Sequence, residues 1–185
     1  MEFGDIKNSS KIRELLKLLA FQVGSEVSLT ELCSTLGMSK DLVARYIDLL
    51  EKSYIIFRLK GFNRNLRKEV TKMDKIYFYD LGVRNILIDN LKPLMGRDDL
   101  GALWENFLIV ERMKLLAYTQ DLASTYFWRT YTGAELDYVE DKGGKLYGFE
   151  FKAGNKVKFA PKSWSETYPS SEFLCVNREN YLDFI

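Results

Sequence analysis

The chain has 185 residues, 46% hydrophobic and 14% aromatic, enough to bury its own core and too apolar for general disorder. Lys and Arg total 27 against 26 Asp and Glu, a net charge of +1, so the molecule as a whole is not a polyelectrolyte. It contains no histidine, which excludes Ser-His-Asp and Cys-His catalysis, a histidine base and every histidine metal site. The two cysteines, Cys33 and Cys175, form no C-x-x-C pair, so zinc and thioredoxin-type chemistry are not expected. They read as buried thiols of a reducing, cytoplasmic compartment. No apolar run approaches the roughly 20 residues of a membrane span, and the N-terminal MEFGDIKNSS has no apolar signal core.

The elements fall into two groups. Ser10 begins a helix through Leu15, Leu16, Leu18 and Leu19 to about Phe21, stopped by Gly24 and Ser25. Ser28-Leu29-Thr30-Glu31 is a capping box opening a short second helix that Gly37 ends. Ser39 caps a third helix with Leu42, Val43, Tyr46, Ile47, Leu49 and Leu50 on its apolar side. A short helix, a glycine turn and a capped longer helix make a helix-turn-helix pattern. Strands follow at 54–59 and 75–79, and the loop between them completes a winged helix.

The charge is local. Residues 1–90 are net +3 and residues 91–185 net −2, while residues 58–75 alone are net +5. A basic stripe on a near-neutral protein points to a nucleic acid more than the total charge does. Arg45 on the third helix and Arg58, Lys60, Arg64, Arg67, Lys68 and Lys72 around the wing are the candidate DNA contacts. The third helix itself is balanced: Lys40, Arg45 and Lys52 stand against Asp41, Asp48 and Glu51. A helix that reads DNA usually exposes a one-sided basic face, so protein packing is an equal reading of this half.

Polar residues with Pro93 and Gly96 in DNLKPLMGRD, residues 89–98, mark the boundary, giving domains 1–90 and 91–185. Asp80 reads as the N-cap of a helix over 81–87. A long helix is expected over 99–119, carrying Glu105. Strands are expected at 125–130, 133–139, 145–152 and 172–176, with a turn at Lys142-Gly143-Gly144-Lys145. Strand alternation places Glu135 and Asp137 on one face, and Glu150 and Lys152 on one face with Phe149 and Phe151 on the other.

An in-register hairpin brings Asp137 close to Glu150. Two adjacent carboxylates repel unless a cation lies between them. Oxygen donors without histidine favour Mg²⁺, with Mn²⁺ as a substitute, over Zn²⁺. Lys152 then steadies an attacking water or phosphoryl charge. Asp, twelve residues, then Glu-x-Lys is a phosphodiester-cleaving arrangement, although a Glu-x-Lys on a strand is more often a solvated ion pair.

Four ordered blocks strengthen the reading: Lys75-Ile76-Tyr77-Phe78-Tyr79-Asp80-Leu81-Gly82-Val83, Gly101-Ala102-Leu103-Trp104-Glu105-Asn106-Phe107, Phe127-Trp128-Arg129-Thr130 through Gly133-x-Glu135-Leu136-Asp137-Tyr138, and Glu150-Phe151-Lys152. From about residue 10 to 177 the chain resembles the C-terminal region, itself a domain of unknown function, that follows the ATPase module in many bacterial and archaeal AAA+-type ATPases. The resemblance implies an α/β (α+β) protein. An N-terminal winged helix-turn-helix precedes a mixed sheet flanked by helices, restriction-endonuclease-like, of the PD-(D/E)XK nuclease superfamily. It implies that Glu105, Asp137 and Glu150 surround a Mg²⁺, that Lys152 assists the nucleophile, and that Glu135 stands behind them. DNA and an ATPase module, in the same or another chain, are the implied partners. Leu136 stands where the superfamily has Pro, and no G-x-x-x-x-G-K-[ST] occurs, so the ATPase module itself is not in this chain. The alternative from another class is a catalytically silent module that docks on DNA or an ATPase. A transcription regulator built on the winged helix alone is the weakest reading.

Overall fold

We describe the protein from a computed structural model, which covers residues 9–63 and 73–185. It is a mixed α/β protein with six α-helices and a six-stranded mixed sheet among the described residues. The chain divides into two compact units. One comprises the described part of Met1–Arg58 together with Ile76–Lys92, and the other that of Leu59–Lys75 together with Pro93–Ile185. The second unit thus takes in the described residues 59–63 and 73–75 as well as everything from Pro93 onward.

In the first unit, α1 (Ser9–Phe21), α2 (Leu29–Leu36) and α3 (Lys40–Lys52) form where the caps direct them. The Ser28 hydroxyl accepts from the Glu31 N–H and that of Ser39 from the Leu42 N–H, satisfying amide groups that the first helical turn leaves unpaired. Gly37 closes α2 at φ +60°, a left-handed conformation that a side chain would strain. The helices bury Leu15, Leu19, Leu32, Leu36, Val43, Ile47 and Leu50. Asp80 caps α4 (Leu81–Leu87), its carboxylate accepting from the Val83 N–H at 2.8 Å. Buried Arg84 donates through Nε to the Ala20 carbonyl at 2.8 Å and so ties α4 to α1. Strands β1 (Ile56–Gly61) and β2 (Lys75–Phe78) start two residues later and end one residue earlier, respectively, than the sequence pattern indicates.

In the second unit, α5 (Leu100–Thr119) precedes β3 (Ser124–Arg129), β4 (Glu135–Lys142), β5 (Lys145–Phe151), α6 (Lys162–Thr167) and β6 (Glu172–Val176). The strand order is β2-β1-β3-β4-β5-β6. The β3-β4-β5 meander is antiparallel, with β1 joined in parallel to β3 and β6 in parallel to β5. Phe62, Trp128, Leu136, Val139, Leu146 and Trp164 of α6 form one core cluster. Tyr138, Phe149 and Phe151 meet Phe184 in an aromatic cluster. Arg112 of α5 lies over the rings of Phe149 and Phe184. On β5 Leu146 belongs to the first cluster and Phe149 and Phe151, at odd spacings from it, to the second, so the clusters occupy opposite sheet faces, α6 covering one and α5 the other.

Trp128 is therefore a core residue, 1% exposed and edge-on to Trp164. No described helix is long and apolar enough to cross a membrane. Cys33 and Cys175 are free thiols, the first half-buried and the second buried.

Candidate functional site

The site lies within the second unit, where β4 and β5 run side by side and α5 begins. Cα partners along the hairpin run from Lys142 opposite Lys145 to Tyr138 opposite Phe149. The next step in that register sets Asp137 beside Glu150. The Asp137 carboxylate accepts from the Phe151 backbone N–H at 2.7 Å. On its other side β4 is irregular. Tyr126 of β3 faces Val139, but Trp128 faces Leu136, so β4 carries one extra residue at Asp137 and Tyr138. That irregularity is a β-bulge, a device that re-aims side chains. It explains why Leu136 and Val139, three apart, lie in one core cluster.

Asp137 is 8% exposed and Glu150 4%. Burial, then the charges of Glu105 and of Glu150, push the Asp137 carboxyl up to about 7; the Phe151 N–H and Lys75 pull the other way. Asp137 thus senses acids on both α5 and β5. Each of those acids holds a cation. The Glu150 Oε1 oxygen lies 2.7 Å from the Nζ of Lys152 and 2.7 Å from that of Lys158. The Glu105 Oε1 oxygen lies 3.2 Å from the Nζ of Lys75, at the first position of β2. The Lys75 side chain is 9% exposed, and its amine sits 5.5 Å from the centre of the Phe127 ring. Burial disfavours that charge, but Glu105, Asp137 and Glu135 outweigh it and hold Lys75 above the ordinary lysine value. Glu135, exposed at the start of β4, acts on the site through this field alone.

The four residues singled out by sequence, Glu105, Asp137, Glu150 and Lys152, thus belong to one charge network. Sequence reasoning missed the role of Lys75, which it counted in the basic stripe of the wing. The signal was present, because Lys75 heads the Lys75-Ile76-Tyr77-Phe78 block, and β2 is buried along its whole length. Lys158 was noted only as one of several lysines after β5, and its bond to Glu150 depends on how the following loop returns.

The donor set suits a hard cation. All three acids offer carboxylate oxygens, and burial with the charges of Glu105 and Glu150 disfavours the ionised form of Asp137 until a further cation joins it. Among the described residues, however, no three acidic, cysteine or histidine side chains are gathered into a group that could hold a metal ion. The Glu105 and Glu150 carboxylates are turned to lysines instead.

Of the candidate DNA contacts, Arg45 and Lys60 are exposed. Arg58 is engaged by Glu51, donating through Nε at 2.8 Å and through its backbone N–H at 3.2 Å. Arg64, Arg67, Lys68 and Lys72 lie outside the described residues.

Fold and site together define a mixed α/β protein with a buried carboxylate–lysine network at the junction of a helix and a strand hairpin. Residues 1–93 match the domain of unknown function DUF8612, and residues 100–179 match the domain of unknown function DUF4143. The chain belongs to the DUF8612 family, with a DUF4143 region following. It is 32% identical over 146 residues to the uncharacterized protein Rv2008c of Mycobacterium tuberculosis and to the uncharacterized protein Mb2031c of Mycobacterium bovis. Each match takes in 78% of this chain and 32% of the relative. The uncharacterized protein MJ1637 of Methanocaldococcus jannaschii is 28% identical over 102 residues, 55% of this chain and 21% of the relative. The chain therefore spans about a third or less of the length of these curated relatives. No solved structure matches it.

Proposed function

We propose that the chain is the nucleic-acid-handling region of a larger ATPase-linked protein, with a PD-(D/E)XK-type phosphodiester hydrolysis site in its second unit. The observation that carries this reading is the position of Asp137. It is buried, coupled to both Glu105 and Glu150, and adjacent to the strand whose Glu150–Lys152 pair closes at 2.7 Å. Glu105, Asp137 and Glu150 would hold a Mg²⁺, which when bound supplies positive charge to a phosphate oxygen and lowers the pKa of water.

The chain's own groups do the rest. Lys152 and Lys158 present ammonium donors to the phosphate oxygens and stabilise the charge that grows on them. Lys152, paired with Glu150 at 2.7 Å, steadies the attacking water, which gives up its proton to bulk solvent as it attacks. Water adds to phosphorus, the bond to the leaving ribose oxygen breaks, and that oxygen takes up a proton. The first unit supplies the docking surface. We assign it as a winged helix on the strength of its capped α2–α3 pair and the strands that follow, with exposed Arg45 toward phosphates. The relatives' greater length leaves room for the ATPase module that the family resemblance implies, and two free thiols suit a cytoplasmic protein.

Labelled single-stranded DNA, duplex DNA and RNA incubated with Mn²⁺ test the proposal. Cleavage by the wild type, reduced about 100-fold or more in Asp137→Ala and in Lys152→Ala, supports it. Cleavage of none of these substrates, or equal cleavage by Asp137→Ala, overturns it. A second reading, the silent docking module, draws on one specific observation. Glu105 and Glu150 are already paired with lysines. That reading predicts nucleic-acid binding that falls with salt and with loss of Arg45 and Lys60, and no turnover.

A further inference from the structure

We infer that Lys75 is a fifth residue of the site: a resident cation beside Glu105 and Asp137 that a divalent ion must displace. The inference rests on the hydrolytic reading above and adds a built-in control to it.

Three observations converge. First, the Lys75 side chain is nearly closed off from solvent, and its amine lies 3.2 Å from Glu105 Oε1. A lysine retained in such a place at the cost of desolvation has a partner that needs it. Second, Asp137 and Glu135 as well as Glu105 act on this one ammonium group, so it answers the acids from α5 and β4 together. Lys152 and Lys158 are both bound to Glu150 on β5, and of the two Lys158 also feels the Asp137 charge. Third, no described group of three acids is gathered for a metal. Glu105, the acid that α5 would contribute, is turned to Lys75. One ammonium group and one divalent ion cannot share that carboxylate oxygen at bonding distance without strong repulsion.

Entry of the ion and departure of Lys75 are then one equilibrium. The metal's observed affinity is its affinity for the open site reduced by the fraction of molecules in which Lys75 is away. The Phe127 ring beneath the amine helps to hold the closed form. Lys75 opens β2, in the same segment that carries the basic stripe.

The test is calorimetric titration of Mn²⁺ into wild type, Lys75→Met and the double variant Lys75→Met/Asp137→Ala. Mn²⁺ binding at least about tenfold tighter in Lys75→Met than in wild type, and lost in the double variant, is the expected result. Equal, Asp137-dependent affinity in wild type and Lys75→Met overturns the role of Lys75 and leaves the metal site standing. Absence of Asp137-dependent binding in both overturns the hydrolytic reading and this inference with it. Should Lys75→Met fail to fold, trace acetylation of the wild type read by mass spectrometry makes the same decision. Mn²⁺ should raise the reactivity of the Lys75 amine, and unchanged reactivity contradicts the inference.

Discussion

Asp137 shows how a single side chain can make the pH dependence of stability diagnostic. Its carboxyl titrates near 3.8 when exposed and is pushed up to about 7 in the fold by burial and by the charges of Glu105 and Glu150. The folded state therefore binds more protons than the unfolded chain between those values, and stability falls as pH rises through that window. Asp137's share is complete below about pH 4 and gone above about pH 7. Denaturant melts of the metal-free protein at pH 5 and pH 8 should show wild type losing roughly 2–4 kcal/mol relative to Asp137→Asn over that range. A difference that does not change with pH, or that changes in the opposite sense, contradicts the assignment.

At the scale of elements, helix α5 is held to the sheet by a buried ion pair. Glu140 of β4 is fully buried and accepts from Arg112 Nε at 2.6 Å and from an Arg112 terminal nitrogen at 3.0 Å. Arg112 also donates to the Phe184 carbonyl at 2.7 Å. Removing the guanidinium strands a buried carboxylate, with Lys142 at 3.3 Å as its remaining cation. Arg112→Ala should cost about 3 kcal/mol in equilibrium unfolding, and the double variant Arg112→Met/Glu140→Gln should recover much of that. On the other face, Gly148 makes room for α6. A Cβ there would stand 2.7 Å from Leu136 Cδ1 and 3.2 Å from the Trp164 ring. Gly148→Ala should therefore destabilise by roughly 1–3 kcal/mol, read from the shift in urea midpoint. A neutral outcome would mean that α6 can give way.

The elements themselves were legible because their signals are local. Serine caps at Ser28 and Ser39, the Asp80 cap and the Gly37 stop are set by backbone hydrogen bonding within a few residues. The Asp137–Glu150 neighbourhood was legible too, because a two-residue turn fixes hairpin register. The bulge at Asp137 was not, since strict alternation gives no sign of an extra residue. Short α6 was missed for a similar reason: one buried Trp164 in six residues leaves no helical period to read.

For the molecule as a whole, sequence pattern places domains at 1–90 and 91–185, whereas the second compact unit also takes in Lys75. Charge composition counted Lys75 with the wing, and only tertiary contact reveals it as the partner of Glu105. Composition cannot distinguish a lysine facing phosphates from one facing a carboxylate. The proposed hydrolysis requires that Glu105, Asp137 and Glu150 form a divalent-cation site. Calorimetric titration of Mg²⁺ and of Mn²⁺ into wild type and Asp137→Ala at low ionic strength tests it most directly. Weak, saturable binding to wild type that disappears in Asp137→Ala is the predicted result. No heat from the wild type beyond dilution, or equal binding by a folded Asp137→Ala, would contradict the account.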